Sequence, residues 1–205
     1  MFITFEGIDG AGKTTQIVRT ASYLQKRGKN CITTREPGGT PMGQDIWDIL
    51  RDPDNKNMNL QAELLLYMAD RVLHVNEVIR PALDAGQVVI CDRYHDSMLA
   101  YQGFAKGTDI GIVNDLYQLI IGEFKPDLTF LLDLPPAMAM ARKQDEHQTK
   151  LSLLEKAHAG YIALALSEPE RIRIIDASMA SEDVHHHIID HIENFQIELA
   201  EKKND

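Results

Sequence analysis

The chain has 205 residues, 44% of them apolar and 25% charged, enough for one domain with a full core and short for two. Its 31 acids against 21 lysines and arginines leave a net charge of −10, which argues against a broad nucleic-acid footprint but not against a small anionic substrate gathered by a few clustered arginines. No run approaches the roughly 20 apolar residues of a membrane span, and an acid and two glycines interrupt MFITFEGIDG before a signal peptide could form. The expectation is a cytoplasmic protein with neither nucleic acid nor membrane as partner.

Apolar runs alternate with helical patterns along the whole chain. FITFE (2–6) reads as a buried strand, followed by a glycine-rich turn and a helix to about Gly28. NCITT is a second strand, broken by Pro37-Gly38-Gly39, and a short helix follows near 42–51. From Leu60 to Ala85 the spacing of Met68, Val72, Val75, Ile79 and Leu83 predicts one long helix with a buried stripe, ended by Gly86. QVVIC (87–91) is the third strand, and helices are expected near 96–104 and 109–122. DLTFLLDL (127–134) is the fourth strand, and Pro135-Pro136 opens a helix in which Met138 and Met140 read as core filling. Residues 143–150, KQDEHQTK, carry no apolar period and read as an exposed connection before a helix at 151–166. RIRII is the fifth strand; a last helix puts Val184, Ile188, Ile192, Phe195 and Leu199 on one face, and EKKND is a frayed tail.

Alternation of this kind, with runs apolar on both faces, means a parallel sheet between helical layers, a single α/β domain over 1–205. Cys31 and Cys91 then fall near opposite ends of the sheet, beyond the ~7 Å Cα reach of a disulfide, and are expected as buried thiols. His187 and His191 share a helical face among acids and read as solvated surface rather than a metal site.

Three constellations carry chemistry. Gly7-Ile8-Asp9-Gly10-Ala11-Gly12-Lys13-Thr14 fits G-x-x-x-x-G-K-[ST] between a strand and a helix, so backbone N–H groups and a helix N-terminus converge on phosphate. Lys13 would bridge the outer phosphates of a nucleotide, and the Thr14 hydroxyl would hold Mg²⁺. The motif indicates a nucleotide triphosphate and leaves switch, motor, transporter and kinase open. Asp92-Arg93-Tyr94 and Arg35-Glu36-Pro37-Gly38-Gly39 fall at the carboxyl edge of the sheet, where ligands bind; the two arginines either meet phosphate or pair with Glu36 and Asp92. Tyr67 and Arg71 share a helix face and suit a flat heterocycle, although a boundary tyrosine and a surface arginine account for them equally well.

FEGIDGAGKTTQ, TREPGGT, ELLLYMADRVLHV, PALDAGQVVICDRY, SMLAYQG and LLDLPP, in that order and spacing, resemble the thymidylate kinases, a family of phosphate-loop nucleoside monophosphate kinases. The resemblance spans Met1 to about Arg142 and resumes with AGYIALA and the last strand and helix. It implies the three-layer phosphate-loop fold, a five-stranded parallel sheet in order 2-3-1-4-5, a homodimer, and transfer of the γ-phosphate of ATP to dTMP. It further implies that Gly7 through Thr15 (Gly7, Ile8, Asp9, Gly10, Ala11, Gly12, Lys13, Thr14, Thr15) bind ATP, and that Thr14 and Asp9 handle the metal. By the same resemblance Arg93 binds the acceptor's 5′-phosphate and Arg35 positions the transferred group. Tyr67, where the family usually has Phe, stacks on thymine beside Arg71, with Asp9, Ser97, Tyr101 and Gln102 completing the pocket.

Two departures bear on activity. Met98 stands where the family often has a small polar residue that reads the base, so dTMP is expected to be preferred over dUMP by only a modest factor. The lid at 143–150 is short and has no arginine, while the loop carries Gly10 rather than arginine; Arg142 is the residue expected to supply the missing charge. A kinase for another nucleoside monophosphate, or a nucleotide-binding homologue with weak turnover, are the alternatives. Lys13 is expected to be exposed, so that its removal should leave stability nearly unchanged.

Overall fold

The computed structural model describes residues 1–142 and 151–201; the predicted lid connection at 143–150 and the tail at 202–205 lie outside the described residues. Five strands, β1 (Phe2–Glu6), β2 (Cys31–Arg35), β3 (Val88–Asp92), β4 (Leu128–Asp133) and β5 (Ile172–Asp176), form one parallel sheet in the order β2-β3-β1-β4-β5. Side chains alternate across it. Phe2, Val89 and Cys91 face a core built with Leu64, Met68, Ile79, Met98 and Tyr117. Ile3, Phe5 and Ile90 face the other, built with Ile17, Leu24, Leu154, Tyr161 and Ile188.

The first core is closed by α3 (Leu60–His74, continued through a π-helical turn at Val75–Ile79 and a last turn Arg80–Asp84), α4 (His95–Met98, continued as a π-helical stretch Leu99–Ala105) and α5 (Ile110–Ile120). The second is closed by α1 (Lys13–Lys26), α7 (Leu151–Ser167) and α8 (Ser181–Glu201). Two shorter helices, α2 (Pro41–Arg51) and α6 (Pro136–Arg142), leave the carboxyl edge of the sheet after β2 and β4. Thr40 caps α2 by accepting the Gly43 N–H, and Pro41 sits at its first position, where a missing N–H costs nothing.

Several expectations change in detail. The helix from Leu60 does not run uninterrupted: spacings of three and four residues are shared by α and π turns, so the hydrophobic pattern does not separate them. Of its stripe, Met68, Val75 and Ile79 are buried, whereas Val72 and Leu83 are half-buried. β2 is an edge strand, so Cys31 is half-buried while Cys91 is fully buried; the register pairs Cys31 with Val88 and Thr34 with Cys91, at opposite ends as expected. Met138 and Met140 are exposed on α6, not core filling. Val184, Ile188, Ile192 and Phe195 do face inward on α8, and Leu199 lies outside the described side chains.

The register brings Glu6, Arg35, Asp92 and Asp133 to a single sheet edge, since Phe5 pairs with Asp92 and Arg35 with Asp92. The loops that follow these strand ends build the site.

Candidate active site

A cleft of about 760 Å³ opens at that edge, within the size range of small-molecule sites. At its floor lies the glycine loop between β1 and α1. Gly7 and Gly10 both adopt positive φ, at 130° and 90°. Neither has room for a side chain: a Cβ on Gly7 would sit 2.6 Å from the Leu132 carbonyl oxygen, and one on Gly10 would sit 2.7 Å from that of Ala139. The first turn of α6 therefore bars an arginine from position 10.

Lys13 is buried, contrary to the exposed side chain expected from the motif. Its ammonium donates to the carbonyls of Gly7 at 3.0 Å and Ile8 at 3.2 Å. Burial, reinforced by the nearby Arg93 guanidinium, lowers its pKa to about 8. The reason is local: the loop carbonyls curl inward toward the start of α1, and the ammonium satisfies them. Asp9, Gly10, Gly12, Lys13, Thr14 and Thr15 line the cleft. Gly7, Ile8 and Ala11 do not; they are buried, and Gly7 and Ile8 contribute through their carbonyls.

Arg93 follows β3 with φ +68°, the one non-glycine residue among those described to hold a left-handed backbone. Its Nη2 donates to Asp9 at 2.6 Å, and its Nη1 to Ser97 Oγ at 3.1 Å and Tyr161 Oη at 2.8 Å. It does not pair with Asp92. Arg35 is exposed and donates to Gln44 at 2.6 Å. Both arginines line the same cleft as the glycine loop, and Arg142, which donates to the Ala177 carbonyl at 3.1 Å, lines it too.

The same cleft is also lined by Tyr67, Arg71, Met98, Tyr101 and Gln102. Arg71 is 2% exposed, not a surface residue. Its Nε donates to Glu36 Oε2 at 2.8 Å, its Nη2 forms an ion pair with the same oxygen at 2.8 Å, and among the described residues its Nη1 meets the sulfurs of Met98 at 3.5 Å and Met68 at 3.9 Å. The other oxygen of Glu36 bonds His74 Nδ1 at 2.9 Å. Burial pushes the Glu36 carboxyl upward, but Arg71 and His74 outweigh it and hold it below the usual range. Gln102 Nε2 donates to Glu63 at 3.0 Å, which also takes Lys106 at 2.5 Å. Burial, aided by Glu63, pushes the Tyr67 hydroxyl up to about 12, so that ring is neutral. The Tyr101 ring lies under the Arg93 guanidinium at 5.3 Å.

Sequence reasoning missed Glu6, Trp47, Lys106 and Tyr161. Glu6 carried a faint signal, an acid closing an otherwise apolar strand. Burial, with help from the Asp96 carboxylate, raises it to about 7 against the opposing pull of Arg93 and its own hydrogen bonds.

Among the described residues no group of three or more His, Cys, Asp or Glu side chains could hold a metal by itself. Mg²⁺ keeps several waters and binds through few protein oxygens plus substrate phosphates, so the relevant donors are different. Thr14 is exposed on the first turn of α1, Asp9 borders it in the cleft, and the buried Oδ1 of Asp92 has no hydrogen-bond partner among the described residues. Hard oxygens beside a phosphate loop, one of them a carboxylate oxygen left unsatisfied, fit Mg²⁺.

Fold and cleft together define a phosphate-loop phosphotransferase: a nucleotide cradle in one cleft with cationic and aromatic walls. A sequence model of thymidylate kinase matches residues 5–188. Thymidylate kinase of Syntrophotalea carbinolica is 45% identical over 199 residues, covering 91% of this chain and 92% of that protein. That of a Synechococcus species is 48% identical over 180 residues, covering 86% and 87%. The crystal structure of thymidylate kinase from Ehrlichia chaffeensis superposes with a TM-score of 0.78 at 34% identity, covering 94% of this chain and 98% of that one. The chain belongs to the thymidylate kinase family.

Proposed function

We propose that this cleft phosphorylates dTMP with ATP, giving dTDP and ADP, the activity of the family to which the chain belongs. The observation that carries the assignment of the site is the convergence of Lys13, Arg35, Arg93 and Arg142 on one cleft that Tyr67 and Arg71 also line. In a protein with ten excess negative charges, such a cluster serves anionic ligands.

ATP lies on Gly7 to Thr15 with its phosphates toward the N-terminus of α1, and Lys13 exchanges its carbonyl partners for phosphate oxygens. The dTMP phosphate meets Arg93, and its base enters between Tyr67 and Arg71, whose Nη1 meets weak sulfur acceptors among the described residues and is the donor most readily given to a base carbonyl. Tyr101, Ser97 and Gln102 complete that pocket. An oxygen of the dTMP phosphate bonds to the γ-phosphorus as the bridge to the β-phosphate breaks, and the leaving charge stays on ADP. No side-chain nucleophile takes part; Lys13, Arg35, Arg93 and Arg142 position the reactants and offset their charge. Mg²⁺, held by Thr14 and Asp9, would neutralise the β- and γ-phosphates when bound with ATP.

The chain acts in the cytoplasm and as a homodimer, and the exposed apolar side chains Met42, Leu65, Ile112 and Leu119 on α2, α3 and α5 support the second of these readings. Light scattering after size exclusion tests the dimer. Coupled ADP release with dTMP, dUMP, dCMP, dGMP and dAMP tests the reaction. The expected order is dTMP first and dUMP second by a modest factor; equal or faster turnover of dCMP or dGMP overturns the acceptor assignment.

A further inference from the structure

Glu6, the last residue of β1, is 1% exposed and does not line the cleft. Its two oxygens nonetheless hold Arg93 at both ends. Oε1 accepts the N–H of Tyr94, the residue that follows the left-handed turn at Arg93, at 2.7 Å. Oε2 accepts the Ser97 hydroxyl at 2.5 Å, and the Tyr161 hydroxyl, 3.1 Å away, divides its proton between Oε2 and Ser97 Oγ at 2.7 Å. Ser97 and Tyr161 are the hydroxyls that receive Nη1 of Arg93.

Proton counting gives this cluster a direction. Arginine can only donate, so both hydroxyl oxygens are acceptors toward Arg93 and must dispose of their own protons elsewhere. A carboxylate, which only accepts, is the group that takes them. With Glu6 ionised, donation therefore runs from Arg93 through Ser97 and Tyr161 to its carboxylate, and the guanidinium is aimed by a buried group it does not touch. Asp9 holds Nη2 from the cleft side and leaves this arrangement unchanged.

We infer that Glu6 is the positioning residue that aims Arg93 at the 5′-phosphate of the acceptor, through the Tyr94 N–H and the Ser97–Tyr161 hydroxyl bridge. The inference rests on the assignment of Arg93 to that phosphate. Ser97 then acts as part of the bridge more than as a contact to the base. Glutamine in place of Glu6 breaks the pattern whichever way its amide turns: its NH₂ faces either the Tyr94 N–H, donor against donor, or two hydroxyls already accepting from Arg93.

The test compares dTMP with thymidine, which lacks the phosphate. Dissociation constants for both are measured by calorimetry on wild type, Glu6→Gln, Arg93→Lys and the double variant, with the KM for ATP and a thermal melt alongside. Glu6→Gln is expected to weaken dTMP about tenfold or more, the effect of losing hydrogen bonds to a charged group, while thymidine and ATP change less than about twofold. In the Arg93→Lys background the same change should add less than about twofold, because the fork being aimed is gone. Equal weakening of dTMP and thymidine, unchanged dTMP binding, or strict additivity each overturns the inference. Should Glu6→Gln fail to fold, Tyr161→Phe removes one bridging hydroxyl and should weaken dTMP about threefold or more with thymidine unchanged; an equal effect on both ligands again overturns it. If Arg93→Lys leaves dTMP and thymidine in their wild-type ratio, the phosphate assignment falls and this inference falls with it. A selective Arg93 effect with a silent Glu6→Gln overturns the inference alone.

Discussion

Replacing Glu36 by glutamine should destabilise the ligand-free protein severely. The residue lies 35 positions from Arg71, yet its Oε2 takes both Nε and Nη2 of that arginine at 2.8 Å, and its Oε1 bonds His74 at 2.9 Å. Glu36 is 5% exposed, Arg71 2% and His74 0%, so no water can take over the charge. Removing one partner of a buried ion pair costs about 3–5 kcal/mol, since the other is left as an uncompensated charge. Glutamine keeps one acceptor, which favours the low end, about 3 kcal/mol. For a chain of this size each kcal/mol lowers Tm by about 2–4 °C, giving a loss of about 6–12 °C. Circular dichroism melts at pH 7 without nucleotide measure it. A double variant, Glu36→Met with Arg71→Met, removes both charges and should melt above the single one. A Glu36→Gln melt within about 2 °C of wild type would show that the cleft hydrates Arg71 and would refute the argument.

Lys13→Ala should abolish turnover in the coupled assay and, because the ammonium satisfies two buried loop carbonyls, lower Tm by a few degrees where an exposed lysine would change nothing. Arg142→Ala should lower kcat by about 10³-fold or more with little change in the KM for ATP, as removal of a transition-state arginine does; steady-state kinetics with both variables resolved decide it. Asp70 is pushed up to about 6, chiefly by burial and against the Gly38 N–H it accepts, so the folded state holds its proton more tightly than the unfolded chain. Its stabilising contribution is full below about pH 4 and is lost as pH rises through 6, so the Tm of wild type relative to Asp70→Asn should fall between pH 4.5 and 7; a flat difference rejects it.

The phosphate loop was legible because its chemistry depends on residues adjacent in sequence: glycines, a lysine and a hydroxyl at fixed spacing between a strand and a helix. The strands were legible for a similar reason, since buried parallel strands need uninterrupted apolar runs. What stayed hidden depends on register. Whether Arg71 is a surface cation or a buried one is decided by Glu36, and nothing local to either reveals that β2 and α3 bring them to 2.8 Å. Glu6 and Tyr161 are separated by 155 residues and meet only because β1 and α7 pack on one face of the sheet. Lys13 looked exposed because the motif describes its duty toward a nucleotide, whereas the loop turns its own carbonyls toward the ammonium. The π-helical turns in α3 and α4 leave the same apolar spacing as α turns and are silent in the pattern.

The backbone of α6 at Ala139 lies so close to Gly10 that a Cβ there would come within 2.7 Å of the Ala139 carbonyl oxygen, which ties the seat of that helix to the seat of the phosphate loop. Any displacement of the phosphate loop toward α6 must push that helix, and α6 carries Arg142 at its end. It also constrains redesign. An arginine grafted into the loop at position 10 would strike the backbone of the very helix whose arginine it was meant to replace, so gaining a loop cation here means giving up the present seat of α6. A side chain at position 10 and the present seat of α6 exclude one another in this scaffold.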